Sequence, residues 1–62
     1  MALSLKAARI DARLKLTEAA KALEISRNTL GNYEKYKTIP DIEMAYKMAA
    51  LYHRSVDELK FF

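Results

Sequence analysis

Cysteine is absent from this 62-residue chain. No disulfide can staple it, and thiolate metal sites and cysteine nucleophiles are excluded. The absence fits a reducing compartment such as the cytoplasm. One glycine and one proline leave little room for β-hairpins, whose tight turns depend on such residues. No apolar run approaches the roughly 18 residues that a membrane span needs, and no signal-peptide pattern is present. The one histidine, His53, has no clustered ligand types around it, so it reads as a residue ending a helix and not as a metal ligand. No Ser/His/Asp set, carboxylate pair or glycine-rich phosphate loop stands out. An enzyme is not expected, and no cofactor, metal or small-molecule ligand is implied.

What the chain does have is alanine, leucine, lysine and glutamate, a composition that favours helix throughout. The pattern predicts an all-α domain over residues 1–62 with five helices. The first runs from about Leu5 to Arg13 behind Ser4 as N-cap, and the second from about Leu16 to Leu23. Glu24 to Ser26 form a turn, and a third helix runs from about Arg27 to Lys35. A loop over Tyr36 to Pro40 follows. Asp41 then caps a fourth helix, about Ile42 to Tyr52, because Pro40 cannot extend the one before it. After a break at His53-Arg54, Ser55-Val56-Asp57-Glu58 has the form of a capping box and predicts a fifth helix toward Phe62. The expected core is Leu5, Ile10, Leu14, Ala20, Leu23, Ile25, Leu30, Tyr33, Ile42, Ala45, Met48, Ala49, Tyr52, Val56 and Leu59. Ala20 has a particular task. Two helices that meet across a tight turn need a small residue where their backbones approach, and overpacking there costs about 1–3 kcal/mol.

Charge is unevenly placed. Residues 1–37 hold eight Lys/Arg against four Asp/Glu, or +4, while residues 38–62 hold three against four, or −1. The excess coincides with the third helix, whose two faces differ. Stepping about 100° per residue from the N-cap Ser26 puts Leu30 and Tyr33 on one side. Asn28, Gly31, Asn32 and Lys35 fall on the other, within an arc of roughly 100°. That face offers amides, a gap and a cation, and no carboxylate. Side-chain amides pair with adenine edges, and cations meet guanine or phosphate, in the major groove of DNA. Gly31 costs about 1 kcal/mol in mid-helix, which reflects either close approach to DNA or simple tolerance.

Leu14 to Tyr36, LKLTEAAKALEISRNTLGNYEKY, resembles the lambda-repressor-like helix-turn-helix family, which includes phage Cro and repressor proteins. Ala20 stands at the helix crossing, Leu23 before the turn, Ile25-Ser26 ahead of the recognition helix, and Leu30 and Tyr33 at its buried positions. Pro40, the amphipathic segment after it and Ser55-Val56-Asp57-Glu58-Leu59 continue the resemblance, which spans about Leu5 to Leu59.

The resemblance implies a compact five-helix domain, in the cytoplasm of a prokaryotic cell or phage-infected host. It would bind a pseudo-palindromic operator in double-stranded DNA as a homodimer and regulate transcription. Arg27, Asn28, Gly31 and Asn32 would meet bases, with Arg27 placed between base and phosphate. Lys15, Thr17, Ser26, Lys35, Lys37 and Thr38 would meet phosphates. Arg9 and Glu34 would form an ion pair that is at least half buried, and Tyr52, Val56, Leu59, Phe61 and Phe62 would supply the dimer interface. Three departures stand out. Lys15 and Leu16 replace a capping hydroxyl and a phosphate-binding amide, Glu24 stands where glycine is common in the turn, and Tyr36 replaces a frequent glycine after the third helix. The chain would serve as a whole Cro-type protein or as the DNA-binding domain of a longer repressor. A protein-interaction module of the same fold, such as an antitoxin, would carry an acidic or apolar third-helix face. A nonspecific DNA-coating protein would carry more cations and fewer amides.

Overall fold

The structure is a computed structural model that describes residues 2–62, so residue 1 of the expected domain lies outside the described residues. Four α-helices are present among them: α1 over Leu5–Asp11, α2 over Leu16–Ala22, α3 over Arg27–Glu34 and α4 over Ile42–Leu51. Side-chain caps start three of them. Ser4 Oγ accepts from Ala7 N at 3.0 Å, Ser26 Oγ from Thr29 N at 3.0 Å, and Asp41 Oδ1 from Met44 N at 2.8 Å. Each cap satisfies one orphan donor of a first turn, worth about 1 kcal/mol. α2 lacks such a cap; instead Glu18 reaches back to accept from Lys15 N at 2.8 Å.

All four helices end alike. Arg13, Glu24, Tyr36 and His53 have φ of 63°, 60°, 59° and 56°. The next residue in each case donates back to the helix: Leu14 N to Arg9 O, Ile25 N to Ala20 O, Lys37 N to Asn32 O, and Arg54 N to Ala49 O. These are Schellman closures, which normally use glycine at the left-handed position. Here none does. Each side chain there costs on the order of 1 kcal/mol relative to glycine.

The expected fifth helix does not form. The capping box does: Glu58 Oε1 accepts from Ser55 N at 2.9 Å and from Ser55 Oγ at 3.1 Å. Those donors, the backbone one foremost, hold the Glu58 carboxyl below its ordinary range. But the box opens only a single 3₁₀ turn, Val56–Glu58, before the chain extends into strand β2, Leu59–Lys60. β2 pairs in parallel with β1, Leu3–Ser4, with Leu3 opposite Leu59 and Ser4 opposite Lys60. Pairing with β1 gives this segment backbone partners in a neighbouring strand in place of partners within a helix. The two-residue alternation of a strand then turns Leu59 inward and Lys60 outward.

This geometry corrects the expected interface and core. Tyr52 and Leu59, read both as core and as dimer residues, are only 2% and 6% exposed and belong to the chain's own core, which leaves them little surface for a partner. Ile10 and Ile42, read as core, are 56% and 73% exposed. α1 buries Leu5, Ala8 and Arg9 at helical spacing, a stripe that leaves Ile10 on the far side. Ile42 sits at the first turn of α4, whose buried stripe is Ala45, Met48 and Ala49, continued by the C-cap Tyr52. Ala20, as the crossing requires, is buried where α2 packs on α3.

One side chain ties the ends of the chain to the helix-turn-helix. The Tyr36 hydroxyl accepts from Leu5 N at 3.3 Å and donates to Lys60 O at 2.9 Å. Lys60 Nζ stands 5.6 Å from the Tyr36 ring centre, within cation–π range.

Candidate nucleic-acid interface

α3 owes its position to its buried face. Leu30 is fully buried and Tyr33 packs against the same core. With those two fixed, Asn28, Gly31, Asn32 and Lys35 line one wall of an open cleft of about 620 Å³, with Arg27 and Ser26 at its end. Lys6 of α1 and Leu16 of α2 line the cleft as well, together with Arg9 and Glu34.

Arg9 and Glu34 form a two-point ion pair. Arg9 Nε donates to Glu34 Oε2 at 2.6 Å and Nη2 to Oε1 at 3.2 Å, while Nη1 donates to Leu14 O at 2.9 Å. Both side chains are about nine-tenths buried, at 10% and 8% exposure. The fork-to-carboxylate geometry fixes α3 against α1 as well as neutralising both charges. Beside the pair, the Tyr52 hydroxyl is buried without a hydrogen-bond partner. Burial first, and the Glu34 charge second, push its pKa up to about 12, with Arg9 opposing.

The four base-contact candidates, Arg27, Asn28, Gly31 and Asn32, therefore share one cleft with Ser26 and Lys35. Lys15, Thr17, Lys37 and Thr38, the remaining phosphate candidates, are exposed but outside it. Ser26 turns its oxygen to the α3 cap and stands 2.8 Å from Thr29 Oγ1. A Cβ built on Gly31 would meet nothing within 4 Å, so no packing inside the protein demands glycine there. At the other end of the molecule Val56 and Phe61 are half-buried against the core and Phe62 is 82% exposed. Lys6 is the residue that sequence reasoning missed. It lies three positions before Arg9, on the same side of α1, so the expected Arg9–Glu34 pair already carried the signal that Lys6 borders α3.

The chain matches a family model described as helix-turn-helix over residues 5–59. It belongs to the Cro/C1-type helix-turn-helix family. The match covers all four helices and reaches Leu59, the first residue of β2. This membership makes the chain a DNA-binding protein of the transcription-regulator class, a family that is typically non-enzymatic. No curated protein matches it. No described helix is long and apolar enough to cross a membrane.

Proposed function

We propose that this helix-turn-helix protein is a sequence-specific regulator of the Cro/repressor kind, reading a pseudo-palindromic operator as a homodimer with α3 in the major groove. The observation that carries the reading is the solvent face of α3. Asn28, Asn32 and Lys35 border one open cleft with no free carboxylate, since Glu34 is held by Arg9. Asn28 and Asn32 supply the bidentate donor–acceptor pair that suits adenine, Arg27 reaches a guanine or a phosphate, and Gly31 lets the duplex approach. Lys15, Thr17, Ser26, Lys35, Lys37 and Thr38 hold flanking phosphates, which set the register of the helix in the groove.

A second copy pairs through the C-terminal end, where Val56, Phe61 and the 82% exposed Phe62 remain available once Tyr52 and Leu59 are assigned to the core. An apolar ring this exposed favours a partner surface. Two-fold pairing sets two α3 helices about one helical turn apart, roughly 34 Å, on one face of the duplex.

Selection of bound duplexes from a random-sequence pool tests this directly. At about 150 mM salt, nonspecific phosphate binding is suppressed. The expected product is an inverted repeat with half-site centres about 10 base pairs apart. Equal recovery of all sequences, or recovery of none, overturns the reading and favours a protein-interaction module.

A further inference from the structure

We infer that the cleft between α1 and α3 is a phosphodiester seat and that Lys6 is its anchoring residue. This rests on the DNA-binding reading above and names a contact that the third-helix face does not contain. Four observations carry it. Lys6 lines the cleft from α1, across from Arg27 and Lys35 on α3. Each of these three cations lacks a carboxylate partner within 4 Å among the described residues. The one carboxylate in the cleft, Glu34, has both oxygens held by Arg9 at 2.6 and 3.2 Å, so it neither repels an anion nor neutralises Lys6. A Cβ built at Gly31 meets nothing within 4 Å, so the cleft that Gly31 and Lys6 both line is open at that point.

The result is a recess with three uncompensated positive charges contributed from two helices. A duplex lying along α3 presents a row of phosphodiesters, and the phosphate beside the cleft is the anion that fits it. The Arg9–Glu34 pair holds α1 against α3, so the Lys6 backbone keeps a set position relative to the proposed base-reading amides and its side chain reaches into the cleft from there. A phosphate held there positions the helix without itself reading sequence.

The test is the salt dependence of duplex binding by the wild type and by Lys6→Gln, an exposed-site change. Lys47→Gln, on α4 and outside the cleft, is the control. One phosphate contact contributes about 0.9 to the slope of log K against log salt. Lys6→Gln is expected to lower that slope by about 0.9, so that its deficit is about 3.5-fold larger at 50 mM than at 200 mM salt. The loss is expected to be the same for the selected operator and for a scrambled duplex. Lys47→Gln leaves the slope unchanged. Replacing single phosphates by neutral methylphosphonates is expected to weaken the wild type at one position per half-site that leaves Lys6→Gln unaffected.

An unchanged slope in Lys6→Gln, or a methylphosphonate pattern identical to that of the wild type, overturns the seat while leaving operator reading intact. The opposite pattern, a changed slope on every duplex without enrichment of any sequence, supports the seat and overturns operator reading.

Discussion

Of the eight lysines and arginines in residues 1–37, only Arg9 pairs its side-chain charge with a carboxylate among the described residues; in residues 38–62, Lys47 pairs with Glu43, Arg54 pairs with Asp11 and Glu58, and Lys60 lies over the Tyr36 ring. The two regions handle charge differently, and burial explains where each pair matters. Arg9 is paired because it is buried, and a buried guanidinium without a partner would carry a heavy desolvation cost. The bridges of the second region are exposed, with side chains at 30–79% exposure, where such pairs contribute at most about 1 kcal/mol. Their effect is to cancel charge on that side of the molecule. The unpaired cations of the first region are left to solvent, where the proposed DNA contacts would find them.

The largest test of this contrast is Arg9→Met against Lys47→Met. The first strands a buried carboxylate and is expected to cost about 3–5 kcal/mol in urea unfolding. The second is expected to cost less than about 1 kcal/mol. Equal losses would show that the buried pair is no different in kind from a surface bridge.

Next in size is an alkaline transition beneath that pair. Tyr52 has a folded pKa near 12 against an ordinary value of 10.0. Its protonated form is therefore favoured by folding. The associated stability is fully present below about pH 10 and is lost as pH rises toward 12, by about 2–3 kcal/mol in total. In urea unfolding, the stability difference between the wild type and Tyr52→Phe should be constant below about pH 10 and shift against the wild type by about 2–3 kcal/mol as pH rises to 12. Parallel pH profiles would mean that the phenol titrates as if it were exposed.

On the DNA side, Asn32→Ala is expected to cost about 1–3 kcal/mol of discrimination at one operator base pair. Lys35→Gln should instead weaken all duplexes alike. The two are separated by titrating operator variants that differ at single base pairs. If both variants lose affinity uniformly, the amide face reads no base.

The smallest effects lie in the backbone. Glu24→Gly relieves a left-handed side chain at φ 60° and is expected to stabilise by about 1 kcal/mol. Gly31→Ala is expected to stabilise the free protein by a similar amount, because its new Cβ meets nothing. Tyr36→Gly relieves the same strain yet should destabilise, because it also removes the hydroxyl that bonds Leu5 and Lys60. Thermal melts rank the three. Stabilisation by Tyr36→Gly would mean that the tie between the chain ends contributes nothing.

Much of this molecule is legible from local rules. Ser4, Ser26 and Asp41 cap the helices that follow them, since capping needs only a short oxygen-bearing side chain in extended backbone. Ala20 is buried in α2, the helix that packs on α3, as the crossing of two close helices requires of a small residue. The two faces of α3 follow from 3.6-residue periodicity, which is also why its amides and cations gather in one cleft. The readings that depended on side-chain size alone did less well. Ile10 is larger and more apolar than Ala8, yet the close packing of α1 buries the alanine together with Arg9 and leaves the isoleucine outside.

What the sequence determined by itself is therefore the four helices, their starts, and the composition of the α3 surface, because caps, propensities and periodicity act within one or two turns of chain. Tertiary structure decided the rest. The Ser55–Glu58 box specifies a helical start in either outcome, but only the arrival of Leu3 and Ser4 alongside Leu59 and Lys60 turns the segment into a strand. The same long-range pairing buries Leu59 in the chain's own core and gives the Tyr36 hydroxyl its acceptor. Lys6 reaches the cleft because Arg9, one turn further on, is bound to Glu34 25 residues away. Each of these depends on groups far apart in the chain meeting in one place, which no local pattern encodes.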